Sequence, residues 1–172
     1  MPGVNKKTQA LIKKAKEMGV ADAKAVPTSE VFTAPWVRWK CQYGCGGYGQ
    51  HLTCPPYSPT PEQTRATLDS YRSALLLHGT DGGKLKKIAV KLEREAFLSG
   101  YYKAFAMGNG PCWLCSDCAL DTKECRHPDE ARPAMEACGI DVFKTARAAG
   151  LPIEVVTSPS EQTNFYALVL LE

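Results

Sequence analysis

"SALLLHG", residues 73–79, is the stretch of this chain that decides the fold. Its apolar residues form a short unbroken run, which predicts a buried strand. The next segment, "DGGKLKKIAVKLEREAFLSGYYKAFAMG" (residues 81–108), carries apolar residues at helical spacing, such as Leu85, Ile88 and Leu92. This spacing predicts one long helix over the whole segment, with its aromatic residues Phe97, Tyr101, Tyr102 and Phe105 packed in the core.

Several elements are predicted before this centre. Residues 5–18 form an amphipathic pattern of apolar residues and lysines, which indicates a helix. "ADAKAVPTSEVF" (residues 21–32) is expected to be extended, and "WVRWKC" (residues 36–41) is expected to be a second strand that ends at the first cysteine. Residues 60–63, Thr-Pro-Glu-Gln, have the form of a capping box, so a helix should begin there and run to about Tyr71.

The remaining elements follow the centre. Asp141 is placed to cap a helix that ends at Gly150, because Pro152 prevents its continuation. "IEVVT" (residues 153–157) and "FYALVLLE" (residues 165–172) are predicted to pair as a hairpin. The pattern indicates an α+β fold: a single domain with a small mainly antiparallel sheet, several helices and two cysteine-rich metal loops. This domain covers residues 1–172, and the basic helix within residues 1–24 is expected at its periphery.

Composition limits the class of protein. The chain has 172 residues, of which 44% are hydrophobic, and this fits one globular domain. It contains no apolar run of the roughly 20 residues that cross a bilayer and no secretory signal, so we expect a cytoplasmic protein without a membrane partner. The net charge is only +3, and aromatic residues do not alternate with the lysines, so nucleic acid is an unlikely partner.

Eight cysteines stand out in a chain of this kind. A reducing cytoplasm disfavours stable disulfides, and clustered thiols there usually bind metal. Four of them occur in "GPCWLCSDCALDTKECRHP" (residues 110–128), with C-x2-C-x2-C spacing followed, after six intervening residues, by a fourth cysteine. Bacterial ferredoxins use such equal steps for a [4Fe–4S] cluster, whereas zinc sites usually use two separated knuckles. The members of this second group are Cys112, Cys115, Cys118 and Cys125.

The first group has only three cysteines, Cys41, Cys45 and Cys54, interleaved with glycines. Three thiolates on a [4Fe–4S] cluster leave one iron open, which is our first choice for this group. Cys138 is an alternative fourth ligand, although its apolar neighbours favour a core thiol. A further alternative is a histidine ligand, His51 or His127.

The pairing of cysteines with clusters has a second solution. In two-cluster ferredoxins, the cysteine that precedes a proline binds the other cluster. Cys54 precedes Pro55, so it could complete the set of Cys112, Cys115 and Cys118, while Cys125 joins Cys41 and Cys45. Both pairings use the same seven thiolates.

Basic residues follow the last ligand. Arg126, His127 and Arg132 come directly after Cys125, so we expect them near a negatively charged cluster. Cations in this position would raise its reduction potential or bind an anionic substrate at an open iron, and simple charge compensation is an equal alternative.

Three long segments carry a resemblance to a known family. They are "CQYGCGGYGQHLTCPPYSPTP", "SGYYKAFAMGNGPCWLC" and "CRHPDEARPAMEACGIDVFKTARAAG", within roughly residues 25 to 172. They resemble an uncharacterised prokaryotic family of predicted metal-binding proteins, a domain of unknown function found largely in anaerobes. The resemblance implies metal binding through the seven cysteines and leaves Cys138 out of the ligand set.

Two functions remain open for a protein with two such clusters, and a third needs no cluster at all. In the first, the four-cysteine cluster relays electrons to a three-cysteine cluster that performs redox or Lewis-acid chemistry on a small molecule, which could be an anion. In the second, the protein is an electron carrier or cluster-bearing subunit without catalysis of its own. Both imply a redox partner protein. The third is a zinc-stabilised structural domain. Whether the protein is an enzyme is left undecided.

Overall fold

A computed structural model describes residues 5–172 as a single α+β domain. The fold class predicted from the sequence is therefore confirmed. Two short 3₁₀ helices, Thr28–Glu30 and Glu136–Cys138, accompany the main elements. Those elements are α1 (Lys6–Met18), β1 (Asp22–Pro27), α2 (Pro35–Gly44), α3 (Pro61–Asp69), β2 (Ser73–Gly79), α4 (Gly82–Leu98), β3 (Phe105–Met107), α5 (Val142–Ala148) and β4 (Phe165–Leu170).

The four strands form one antiparallel sheet in the order β1-β2-β4-β3. Leu75 of β2 lies opposite Ala25 of β1 on one side and Val169 of β4 on the other. The strand predicted from "SALLLHG" is thus β2, and it lies inside the sheet. β4 lies between β2 and β3, although it is the last strand along the chain.

Both faces of the sheet are buried, which explains why β2 is apolar throughout rather than alternating. On one face, Leu75 and Leu77 pack with Leu85 and Leu92 of α4. On the opposite face, Leu76 belongs to a second core, which also contains residues that follow the second cysteine group. The second core includes Met107, Met135, Cys138, Ile140, Ala146, Leu168 and Leu170.

The basic helix α1 belongs to the first core. Asn5 caps it by accepting a hydrogen bond from the Thr8 amide, and Leu11 and Ala15 are buried. The hydroxyls of Thr8 and Tyr101 are 2.8 Å apart, which fastens α1 to the turn after α4. Within residues 5–172, no helix combines the length and apolar character that a bilayer crossing requires.

Two predicted helix starts are confirmed. Thr60 accepts from the Gln63 amide and its own amide donates to the Gln63 side chain, so the capping box begins α3. This helix ends at Asp69, two residues before the predicted end. Asp141 caps α5 by accepting from the Lys144 amide.

Three predicted elements were wrong. "WVRWKC" is helical, because Pro35 opens the first turn of α2 and only Val37 of this helix is buried, so the apparent alternation did not reflect two faces of a strand. The predicted long helix ends at Leu98, since Gly100 has a φ of 97° and turns the chain toward β3. Of its aromatic residues only Tyr101 is buried, whereas Phe97, Tyr102 and Phe105 are exposed.

The predicted hairpin of residues 153–157 with 165–172 is the third correction. Residues 153–157 form no strand, and β4 pairs with β2 and β3 instead. Ile153 packs into the second core, while Val155 and Val156 remain exposed. An apolar β-branched segment can therefore line a cleft without joining a sheet.

Candidate metal centre

The first cysteine group surrounds a cleft. Cys41 lies in the last turn of α2, Cys45 follows the end of this helix, and Cys54 is buried in the loop that leads to α3. All three line a cavity of about 540 Å³. Its other walls are mainly apolar and come from α2, α5, the segment before β4 and β4 itself.

Gly47 lies close to two of these thiols. A Cβ atom placed on Gly47 would lie 3.6 Å from the sulfur of Cys45 and 3.6 Å from the sulfur of Cys54. The two sulfurs are therefore separated by at most twice that distance. The Gly47 amide donates to the Cys45 sulfur at 3.4 Å, which is the kind of contact that orients and tunes metal-bound thiolates.

Burial and mutual repulsion favour the protonated form of Cys41 and Cys54 when no cation is present. Burial raises the pKa of Cys41, and the neighbouring Cys45 raises it further. Burial likewise raises the pKa of Cys54, with the same neighbour adding to the effect. A bound metal would supply the positive charge that allows the group to ionise together.

The second group forms a loop at the surface. Cys112, Cys115 and Cys118 are half-buried and Cys125 is exposed. All four line a small space of about 20 Å³, which is enough for roughly one water molecule. Within residues 5–172, no three Cys, His, Asp or Glu side chains are grouped closely enough to hold a single metal ion.

The two groups are separate but adjacent. Cys54 lies with Cys41 and Cys45 in the first cleft, which is the uncrossed arrangement. The Leu52 amide of the first loop donates to the Cys118 sulfur at 3.3 Å. Lys86 of α4 lies between the groups: its ammonium donates to the Pro111 carbonyl. Burial lowers the pKa of Lys86, while nearby Cys112, Cys54 and Glu136 act in the opposite direction.

Two alternatives for the fourth ligand occupy other places. Cys138 is fully buried in the second core, as expected for a core thiol, and burial raises its pKa to about 12. His51 and His127 line the small space of the second group rather than the cleft of the first. The His51 ring lies 6.0 Å from that of Trp113.

The basic residues after Cys125 do not face the first cleft. Arg132 forms two hydrogen bonds with the Glu93 carboxylate, at 2.7 and 2.6 Å. This hydrogen bonding raises the pKa of Arg132. Arg126 lines the second group's space and donates to the Asp117 carbonyl at 2.8 Å. These contacts fit charge compensation and loop support.

Sequence reasoning missed Glu136. This residue lines the first cleft, and its backbone carbonyl lies 3.9 Å from the Cys41 sulfur. Its carboxyl oxygen Oε2 is out of contact with solvent and has no hydrogen-bond partner among the described residues. Burial raises the pKa of this carboxyl group. A lone acidic residue within the apolar run "AMEACGI" was the signal that could have identified it.

Comparison with known proteins gives one match. A family model described as "Predicted metal-binding protein (DUF2284)" matches residues 24–171, which is most of the chain. No curated protein and no solved structure matches it.

Proposed function

Since the chain belongs to the DUF2284 family of predicted metal-binding proteins, we propose that it binds two [4Fe–4S] clusters and performs redox or Lewis-acid chemistry on a small molecule at one of them. The reacting cluster is the one held by Cys41, Cys45 and Cys54. The other, held by Cys112, Cys115, Cys118 and Cys125, relays electrons from a redox partner protein. When bound, such clusters supply electron transfer and, at an incompletely ligated iron, a Lewis acid.

The cleft of the first group carries this proposal. Three thiols line a cavity of about 540 Å³, which lies within the volume range of small-molecule sites. The thiols surround a space instead of converging on one point, and this suits a cube in which each thiolate binds a different iron. Gly47 adds an amide hydrogen bond and leaves room beside Cys45 and Cys54.

The rest of the cleft has the properties of a substrate site. Trp36, Phe143 and Val155 provide apolar walls that would limit the access of water. Lys40 lines the same cleft and is exposed, so it is available to an anionic group of a substrate. The role of these residues would be to bind and orient a small molecule against the thiol side.

The relay assignment rests on the ferredoxin-like spacing and on the surface position of the second loop. Trp113 is 76% exposed and Cys125 is exposed, so a redox partner protein can approach this loop directly. The loop offers no comparable cavity for a substrate.

A zinc ion at the second group is a second candidate, and one observation favours it. The space of about 20 Å³ is closer in size to one ion than to a cluster, and the four thiols would have to draw together to hold that ion. In this case the second group would be structural.

The test is purification without oxygen, followed by measurement of iron, zinc and acid-labile sulfide and by EPR of the reduced protein. We expect iron and sulfide for two clusters, and an EPR spectrum that changes when cyanide is added. Cys45→Ser should remove the cyanide-sensitive signal, and Cys115→Ser should remove the other one. Cys138→Ala is the control and should retain both.

Other results would favour other functions. Two clusters that are indifferent to cyanide would support an electron carrier without catalysis. One zinc and one cluster, with the zinc lost in Cys115→Ser, would support the structural zinc site. A colourless protein without iron would refute the proposal.

A further inference from the structure

Glu136 is a half-buried acidic residue beside the candidate metal ligands of the first group. It begins the 3₁₀ helix Glu136–Cys138, which packs against α2, the helix that carries Cys41. It lines the same cleft as the three thiols of the first group. Its Oε2 atom has neither solvent contact nor a hydrogen-bond partner among the described residues. Buried polar atoms usually have a hydrogen-bond partner, and none of the described residues provides one for this oxygen.

The nearby cations are committed elsewhere. The Arg38 guanidinium donates to the carbonyls of Pro59 and Ala137, at 2.8 and 2.9 Å. Lys86 acts electrostatically on Glu136, but these two described residues form no salt bridge, and the Lys86 ammonium donates to the Pro111 carbonyl. An added cation in the cleft would therefore provide the missing partner.

A second glutamate of the cleft shows the ordinary behaviour. Glu154 also lines the cavity, but its carboxylate is exposed and lies 3.4 Å from the Arg147 guanidinium. It thus has solvent and a cation available. The contrast marks Glu136 as different from a general acidic residue of the cleft wall.

We infer that Glu136 is the fourth protein ligand of the first group, and that its carboxylate oxygen binds the iron for which no fourth cysteine is present. This inference rests on the proposed function and refines it. On binding, the carboxylate oxygen takes a position that water would otherwise hold. A carboxylate is a harder and weaker partner for cluster iron than a thiolate, so a substrate can displace it.

The experiment compares four proteins purified without oxygen: wild type, Glu136→Gln, Glu136→Cys and the control Glu154→Gln. Iron per chain and EPR are measured before and after brief exposure to air. We expect Glu136→Gln to lose about one iron atom per chain more than wild type, because one corner of one cube has lost its ligand. Its EPR should show the signal of a three-iron cluster. Glu136→Cys should restore the iron content, with a shifted spectrum of the reduced cluster.

Several outcomes decide the matter. Glu154→Gln should match wild type in iron content and spectrum. Far-UV circular dichroism must show that Glu136→Gln is folded, and the recovery of iron in Glu136→Cys makes the same point independently. If wild type holds clusters while Glu136→Gln has the same iron content, air sensitivity and spectrum, the inference is overturned and the proposed function stands. If wild type holds no iron, both are overturned.

Discussion

Gly47 shows how one residue can shape the first thiol group. It is buried, its amide contacts the Cys45 sulfur, and its Cα hydrogen faces the sulfurs of both Cys45 and Cys54. A methyl group here would be in ordinary contact with these sulfurs but would meet the Pro111 ring at 3.3 Å. An added methyl group therefore fits the metal-free protein. It would occupy part of the space beside the thiols that a cluster needs.

We therefore expect Gly47→Ala to fold with nearly the thermal stability of the wild-type protein, but to hold several-fold less metal in the first group. The measurement is metal per chain together with a thermal melt. Gly46→Ala is the matched control, because a Cβ there meets nothing within 4 Å. Equal metal content in both variants would contradict the role given to Gly47.

Cys138 permits a second prediction at this scale. Burial raises its pKa to about 12, so near pH 8 it remains a thiol, and the thiolate is the reactive form. In metal-free folded protein, iodoacetamide should label the exposed Cys45 and Cys125 first and should spare Cys138. Because its pKa is raised, Cys138 should ionise only as the pH rises toward 12, whereas a thiol of ordinary pKa ionises near pH 9. Mass spectrometry of the labelled peptides checks this, and labelling of Cys138 in denaturant is the control.

Residue types and spacing predicted the two cysteine groups but not the acidic residue that lines the cleft of the first one. The spacing of Cys112, Cys115 and Cys118 is local, so it is visible in the sequence. Glu136 reaches the first group only because the 3₁₀ helix that it begins packs on α2, about 95 residues away along the chain. A contact between residues so far apart along the chain leaves no short-range pattern in the sequence.

At the scale of elements, capping chemistry was the most reliable predictor. Thr60 and Asp141 provide side-chain acceptors for the first free amides of α3 and α5, and both helices begin as expected. The prediction for "WVRWKC" was wrong because a run of only six residues can satisfy both a strand and a helix pattern, and tertiary packing decided between them. The prediction of one long helix was wrong because the turn at Gly100 ends the helix, while the apolar residues of β3 continue its apparent spacing.

The Glu93–Arg132 pair connects α4 to the segment after the second cysteine group. Both side chains are largely buried, with 15% and 13% exposed, and Glu93 also accepts from the Ala106 amide of β3. Removing one partner leaves a buried charge unpaired, so Arg132→Ala should lower the free energy of unfolding by about 3–5 kcal/mol. Urea denaturation measures this change.

Two variants check the cause of that loss. Arg132→Met combined with Glu93→Gln removes both charges and should recover part of the stability. Arg126→Ala changes an exposed arginine of the same region and should cost little. A loss in Arg126→Ala as large as in Arg132→Ala would argue against the buried pair as the origin.

At the scale of the whole molecule, the metal loops and the hydrophobic cores are distinct. Neither of the two cores of the described chain contains any of the seven cysteines of the first and second groups. We expect the metal-free protein to keep its sheet and helices, unlike small zinc domains that unfold without metal. Hydrogen exchange should become faster mainly in residues 41–58 and 109–133. General loss of protection in β2 and β4 would contradict this separation.

The place of β4 in the sheet has a consequence for biosynthesis. This strand is made after β1, β2 and β3, yet it lies between β2 and β3, and its first residues, Phe165 and Tyr166, line the cleft of the first group. A domain generally folds as a unit, so this sheet cannot be completed until β4 has left the ribosome. A ribosome-bound chain arrested before Phe165 should therefore expose its early thiols without capturing iron, which a pull-down of such complexes can measure. Metal would then be loaded only after β4 has been made and has closed this side of the cleft.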